Sequence, residues 1–209
     1  MKHLVSSGIV IGALFAAFIF VVHPGTAGTL VGEVNVSGGK KLKNIVVYLS
    51  PVDELALAVV KHHRVTQKGR RFNPNISVIV AGGSATFVND EDQEIDHNVY
   101  SLSKPHKFDI GLASKGSKHN VKFSKPGVIK YYCSVHKNMI GTIVVVPSQY
   151  FAILDQPGRF KLGDVPPGTW QLSAALTHRR YRANPVTISV KSKPLSNIEL
   201  KIGRKKRKR

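Results

Sequence analysis

The sequence predicts an all-β protein with two β-sandwiches, and three observations support this prediction. From Thr29 onward, apolar and polar residues alternate with a period of two, as in strands that bury one face. Glycine, proline, asparagine and serine separate these short runs, and a helical period is almost absent. The chain has 209 residues, which is long for one small β-domain and short for three, so two modest domains are expected.

The first residues are typical of an export signal. Lys2 precedes an apolar run over residues 4–22, Pro24-Gly25 ends the run, and the small residues Gly25 and Ala27 suit cleavage after Ala27. The run is long for a signal peptide and nearly long enough to cross a bilayer, so an uncleaved anchor is the alternative. Residues 1–27 therefore predict a periplasmic or extracellular protein, either released or anchored to the membrane by this segment.

The expected strands form an opening pair, a central block and a C-terminal block. Residues 29–36 and 44–50 are predicted to make a hairpin across Ser37-Gly38-Gly39-Lys40, which is not stable alone. Segment 52–63, apolar after Asp53-Glu54, is interpreted as a short helix or an ordered connector. The remaining predicted strands are 76–80, 85–88, 98–102, 120–123, 128–133 and 142–146 in the central block, and 150–154, 159–162, 169–175, 186–190 and 198–202 in the C-terminal block.

Four side chains of the central block have donor atoms that suit copper. Cys133 is the single cysteine of the chain and begins the pattern Cys133-x-x-His136-x-x-Met139, so one tight loop between two strands supplies three of them. His97 comes from a neighbouring strand. Two imidazoles, a thiolate and a distant thioether suit copper in both oxidation states, whereas zinc prefers harder donors than a thioether.

Each of these residues has an ordinary structural interpretation when taken alone. Cys133 would be a buried thiol, Met139 would fill the core, and a lone histidine of a β-protein is usually a surface or core residue. That ordinary interpretation is given to the other histidines considered, which are His62, His63, His106, His119 and His178. The joint spacing favours a shared metal site over four unrelated residues. It predicts one mononuclear copper site at His97, Cys133, His136 and Met139.

Further motifs surround the four candidate ligands. They are Phe72-Asn73-Pro74, residues 82–87 with Asn89 and Asp90, Asn98, Phe123, Pro126-Gly127, Tyr132 and Gly141. With these motifs, segment 61–147 resembles the cupredoxins, the Greek-key blue-copper sandwiches that include plastocyanin and amicyanin. The resemblance implies a type I copper site with His97, His136 and Cys133 as ligands and Met139 as a weak axial ligand.

The same resemblance implies supporting roles beside the ligands. Asn98 would join the two ligand-bearing loops by hydrogen bonds and tune the electronic properties of the Cys133 sulfur. Ser134, next to Cys133 in sequence, is assigned the same supporting role. In similar proteins electrons usually pass through the exposed edge of the loop histidine, here His136. The loop spacing is similar to that of amicyanin rather than to the longer loop of plastocyanin.

The C-terminal block resembles a second family. Residues 155–162 and 165–172 resemble the carboxypeptidase regulatory-like sandwich, which is Ig/transthyretin-like and smaller. Segments 28–60 and 148–202 are therefore predicted to form one discontinuous sandwich, with the cupredoxin inserted. This layout resembles plastocyanin-like methylamine-utilisation proteins, although their ligand loop commonly has an aromatic residue where this chain has Asn138, which changes the docking surface.

The charge of the chain predicts anionic partners. Lys and Arg number 31 against 12 Asp and Glu, a formal net charge of +19. The basic tail 203–209 is by default a solvated, disordered end, and its functional interpretation is attraction to an acidic redox partner or an anionic membrane or cell surface. Nucleic acid is not an expected partner outside the cell.

The predicted function is an exported carrier of single electrons between a protein donor and a protein acceptor with acidic docking surfaces. The protein is not expected to be an enzyme, since no Ser-His-Asp set or carboxylate pair can be assigned to a shared site. Two alternatives remain open at this stage. One is periplasmic copper storage or delivery, and the other is a β-sandwich interaction module with an incidental copper site.

Overall fold

The computed structural model describes residues 27–52, 61–191 and 193–205. The predicted export segment up to residue 26 and residues 53–60 of the predicted connector lie outside the described residues. Within the described ranges, no helix is long and apolar enough to cross a membrane. The regular secondary structure of the described residues is strand, apart from one turn of 3-10 helix at Ser37–Gly39.

The strands follow one another with short connections. They are β1 (Gly28–Val36), β2 (Ile45–Pro51), β3 (His62–Lys68), β4 (Arg71–Asn73), β5 (Ile76–Val80), β6 (Ser84–Asn89), β7 (His97–Ser103), β8 (His106–Ala113), β9 (Lys118–Lys122), β10 (Gly127–Tyr132), β11 (Ile140–Val146), β12 (Phe151–Leu154), β13 (Arg159–Val165), β14 (Gly168–Leu176), β15 (Tyr181–Ala183), β16 (Val186–Val190) and β17 (Leu195–Arg204). The predicted all-β fold class is confirmed.

The central strands form one sandwich, called here the first sandwich. A sheet in the order β4-β3-β6-β9 faces a sheet in the order β5-β11-β10-β7-β8. Alternating residues of both sheets fill the space between them, as expected for strands that bury one face. The core includes Phe72, Ile79, Phe87, Val99, Phe123, Ile129, Tyr131 and Ile143.

The remaining strands form the second sandwich. Its sheets run β13-β1-β17-β15 and β12-β2-β14-β16. The core between them is apolar and centres on Trp170, which is fully buried. Every strand partner of β1 and β2 within the described ranges comes from β12 to β17.

Several details differ from the sequence predictions, and strands β4, β8 and β15 were not predicted. The hairpin of residues 29–36 and 44–50 is wrong, because β1 and β2 belong to opposite sheets and the chain crosses the core between them. His62 and His63 open strand β3 instead of ending a connector. Strand β17 continues to Arg204, two residues into the predicted tail, because Gly203 and Arg204 pair with β15.

The two sandwiches pack against each other through a layer rich in valine. Val78 and Val80 of β5, Val144 and Val146 of β11 and Val46 of β2 form one buried cluster. Strand β11 therefore has both faces covered, and six of its seven residues are buried. This explains its continuous apolar run, since a strand covered on both faces does not alternate.

Candidate metal centre

The candidate ligands meet at one end of the first sandwich. His97 is the first residue of β7, and Cys133 directly follows β10. These strands are antiparallel neighbours with Tyr132 opposite Tyr100, so the end of one strand lies beside the start of the other. The loop 133–139 then joins β10 to β11 and brings His136 back toward Cys133.

Three donor atoms lie close together at this end. The Nδ1 atoms of His97 and His136 are 3.1 Å apart, and the Cys133 Sγ lies 3.8 Å from the first and 3.9 Å from the second. His97 and Cys133 are buried, and His136 is partly exposed. The structure thus brings together three of the four predicted ligands through their donor atoms.

Met139 lies in the same region and is 1% exposed. It belongs to the core cluster that contains Cys133, and its carbonyl accepts the Cys133 N–H at 3.2 Å. The Met139 N–H in turn donates to the carbonyl of His136 at 3.0 Å. These two bonds close the loop into a compact turn that holds Met139 next to the cysteine and the histidine in the backbone.

A buried carboxylate orients His97. The ring Nε2 of His97 lies 2.8 Å from Glu91 Oε1, with side-chain exposures of 0% and 7%. An ionised carboxylate only accepts hydrogen bonds, so the proton of the neutral imidazole is on Nε2 and the lone pair is on Nδ1. Nδ1 is therefore the atom available to a metal, as in carboxylate–histidine–metal arrangements.

Glu91 is itself held by the turn between β3 and β4. Its carboxylate accepts the backbone N–H groups of Gly69 and Arg70, both at 2.8 Å. Burial acts to raise the pKa of Glu91, but the N–H of Arg70, the His97 ring and the N–H of Gly69 outweigh it and lower the pKa. The carboxylate is thus ionised and fixed in position.

Asn98 connects the two ligand-bearing segments. Its backbone N–H points at Cys133 Sγ at 3.4 Å, and its Oδ1 accepts the backbone N–H of Ser134 at 3.4 Å. Its Nδ2 donates to Asp109 Oδ1 at 2.7 Å and to the carbonyl of Gly111 at 3.0 Å. Ser134 contributes through its backbone, and its side chain is exposed.

His136 lies where the centre reaches the surface. Burial lowers the pKa of this histidine, and the neighbouring His97 and Arg70 lower it further, while Glu91 opposes them. The neutral imidazole, which is the form that binds metals, is thereby favoured. Val135, beside it, is 48% exposed, so the protein surface around His136 is partly apolar.

The donor set fits a single copper ion. Donors bonded to one ion at about 2.0–2.3 Å lie roughly 3–4 Å from one another, and the three distances fall in that range. Two imidazoles with a thiolate form the trigonal set of blue-copper sites, with a methionine as the long axial ligand. A mononuclear metal-binding β-sandwich is therefore the class defined by this fold and this centre.

A sequence comparison identifies the family of one segment of the chain. The model of the copper-binding plastocyanin/azurin family matches residues 59–146, which include all four candidate ligands. This segment of the chain is a cupredoxin domain of that family, so the predicted cupredoxin resemblance is confirmed. No curated protein sequence matches the chain.

Solved structures also match part of the chain. A purple cupredoxin from Nitrosopumilus maritimus is 24% identical, covers 40% of this chain and 99% of its own, and has a TM-score of 0.36. A reduced amicyanin variant is 18% identical, with 47% and 99% covered and a TM-score of 0.37. A Cu-containing nitrite reductase from Thermus scotoductus SA-01 is 27% identical with a TM-score of 0.40, and the match covers 46% of this chain but only 25% of the reductase.

Glu91 is the functional residue that the sequence analysis missed. It precedes His97 by six positions, in a connection where neither strand period nor helix period applies. A usable signal existed in the sequence, since five of the 12 acidic residues lie between Asp90 and Asp96, directly before a predicted ligand, and this indicates a carboxylate beside His97 without singling out Glu91. Second-sphere carboxylates beside metal-bound histidines are common enough to justify that inference.

Proposed function

We propose that the protein is an exported type I copper protein that carries single electrons between redox partners. The observation that carries this proposal is the buried sulfur of Cys133 within 3.8–3.9 Å of two imidazole Nδ1 atoms, one of which belongs to a residue at the surface. A bound copper ion supplies a one-electron change between its two oxidation states at such a donor set.

The protein's contribution is to hold the donors still during that change. His97 is fixed by Glu91, and Cys133 is fixed by its bond to the Met139 carbonyl and by the Asn98 N–H at its sulfur. A donor set that barely moves between oxidation states keeps the reorganisation cost of transfer low. The Asn98 N–H also withdraws electron density from the sulfur, which favours the reduced state.

His136 is the proposed point of electron entry and exit. Among the three close donors it is the one that is partly exposed, whereas His97 is 0% exposed and Cys133 is 4% exposed. Arg70 and Lys137 lie on the exposed surface near this edge. Their positive charge supports docking of partners with acidic surfaces, as does the net charge of +19.

Export to the periplasm or the cell exterior is part of the proposal. It is supported by the apolar segment 4–22 with its small residues near Ala27. The same segment, if uncleaved, would anchor the protein. The basic end of the chain would then add attraction to acidic partners or to an anionic surface.

A carrier is favoured over an enzyme because the centre is closed on the His97 side and exposes only an imidazole edge. The nitrite reductase named above shares one quarter of its length with this chain, so its activity is not carried over. Storage or delivery would need a centre from which the ion leaves readily. The burial of His97 and Cys133 argues against such easy exchange.

The test is the absorption spectrum of the purified protein with one equivalent of Cu(II). The native protein is expected to show an intense visible thiolate-to-copper band and reversible one-electron cycling in voltammetry. Cys133→Ser is expected to lose the band. A matched control, Ser134→Ala, changes an exposed neighbouring side chain and should keep it. Copper that binds without colour and exchanges readily with a chelator would favour delivery and contradict electron transfer.

A further inference from the structure

A groove of about 860 Å³ runs along the side of the junction between the two sandwiches. Tyr100, Leu102, Val128 and Tyr132 form its apolar wall on the first sandwich, and Leu176 lies on the second. Leu102 is 74% exposed, the largest exposure among the large apolar residues in the described part of the chain. His136 is not among the lining residues of the groove.

The rim of this groove carries one sign of charge. Lys104, Lys130, Arg179 and Lys205 line it, and no aspartate or glutamate is among its lining residues in the described ranges. In the sequence, Lys205 is followed by four more basic residues. A concave site with one sign of charge concentrates the field and attracts the opposite charge.

The shape of the groove is fixed by its surroundings. Val128 also packs into the valine-rich layer between the sandwiches, and Tyr100 and Tyr132 face each other with ring centroids 5.8 Å apart. The wall on the first sandwich is formed by strands β7 and β10, so this wall is preformed, whereas Thr177 and Arg179 on the second sandwich lie in the turn after β14. A preformed site lowers the entropic cost of binding.

We propose that this groove binds an acidic segment of a partner protein that also carries apolar side chains. The apolar residues of the segment would cover Leu102 and the two tyrosines, and its carboxylates would pair with the basic rim. This combination of an apolar centre and a polar, charged rim is typical of protein interfaces. The proposal does not rest on the copper function proposed above.

A protruding protein segment fits the observations better than a membrane does. A bilayer surface is flat and is met by apolar side chains that project outward from a protein. Here the tyrosines and Val128 line a concavity, and both tyrosines are only partly exposed. Binding to anionic vesicles is therefore treated as a competing outcome of the test.

The experiment measures binding of a fluorescent peptide to the full chain by anisotropy. The peptide consists of glutamates around one leucine and one phenylalanine, and a second peptide has serine at those two positions. The rim variant is Lys104→Glu with Arg179→Glu. Its matched control, Lys122→Glu with Lys161→Glu, makes the same charge change at two exposed residues of other sheets, β9 and β13.

The proposal expects the rim variant to bind the first peptide about tenfold more weakly and the control variant less than about twofold more weakly. Leu102→Ser should weaken binding about threefold, because part of the apolar contact is lost. Amide NMR shifts on titration should map to Leu102, Tyr132 and Thr177. The serine peptide should bind more weakly than the first peptide.

Several results would overturn the proposal. Equal weakening in the rim and control variants would mean that only total charge matters. Equal binding of the two peptides would exclude a contribution of the apolar wall to binding. Rim-dependent binding to vesicles of phosphatidylglycerol without binding of the peptide would assign the groove to a membrane surface, and occupation of the groove by a second copy of the chain, seen as a rim-dependent dimer in sedimentation, would assign it to self-association.

Discussion

The two sandwiches differ in what their interiors contain. Of the ten buried polar or charged residues in the described part of the chain, nine lie between Gln67 and Thr142 in the first sandwich, and the tenth is Ser148. Two buried side-chain oxygens without a hydrogen-bond partner, on Gln67 and Tyr131, also lie there. The core of the second sandwich is an uninterrupted apolar cluster around Trp170.

This difference separates the two roles of the sandwiches: the buried polar groups of the first sandwich serve the candidate metal centre, although their burial costs stability. Burying a charge or an amide is costly unless it is paired, and the first sandwich pairs Glu91, His97 and Asn98 around one point. The second sandwich needs no such network, because its role in the fold is to bury apolar area. Changes to its core should therefore affect folding, and changes to the buried polar network should affect the metal.

The largest expected effect comes from the apolar side of this comparison. Trp170→Ala should lower the free energy of unfolding by about 3–5 kcal/mol, because the ring is fully buried and its Nε1–H donates to the carbonyl of Pro166. Chemical denaturation checks this. Trp170→Phe should lose less. The copper spectrum of the folded variant should be unchanged, and a changed spectrum would contradict the division of roles.

The second-largest expected effect comes from the buried polar network of the first sandwich. Glu91→Gln weakens the contact that orients His97, so copper affinity should fall about 10–100-fold, as for other partners of metal-bound histidines. Competition with a chelator measures it. Glu199→Gln, which alters an exposed carboxylate of the second sandwich, is the matched control and should leave affinity unchanged. An unchanged affinity in Glu91→Gln would mean that the backbone alone positions the ring.

The smallest expected effect is a pH dependence within the first sandwich, away from the metal. Burial lowers the pKa of His106 below its ordinary value of 6.5, and Lys125 lowers it further. The unfolded chain therefore binds the proton first as the pH falls. The stability contribution is fully present above about pH 6.5 and is lost as the pH falls from there through the folded-state pKa.

NMR titration of the His106 ring should give a midpoint below that of an unfolded peptide. His106→Gln should reduce the loss of unfolding free energy between neutral and mildly acidic pH. The pH dependence that remains in this variant belongs to other histidines. A midpoint at or above the ordinary value would contradict the burial of the ring against Phe123.

Three of the four candidate ligands could be grouped from the sequence because their spacing is a local property of the chain. Cys133, His136 and Met139 share one loop, and the period of two identified the strands on either side of it. Strand β5 and strand β16 were predicted at the bounds that the structure shows. Such features depend on residues close together in sequence, so a pattern along the chain records them.

The errors concern features that depend on distant parts of the chain. The hairpin of residues 29–36 and 44–50 was wrong because strand partners are chosen by the whole sheet, and β1 pairs with β17 across most of the chain length. Strand β3 was missed because its polar residues hide the period of two. The strand is formed by pairing with β6, which lies about 20 residues further along the chain. Glu91 was missed because its partners come from the β3–β4 turn.

The valine-rich layer between the sandwiches limits how the molecule can be divided. A fragment cut to hold residues 61–147 alone would turn Val78, Val80, Val144 and Val146 toward water along the outer side of β5 and β11. Such a fragment would keep every candidate copper ligand but would expose an apolar stripe that is prone to aggregation. Biosensor or electrode work that requires a minimal blue-copper unit would therefore begin by replacing those four valines with polar residues that favour strands, such as threonine.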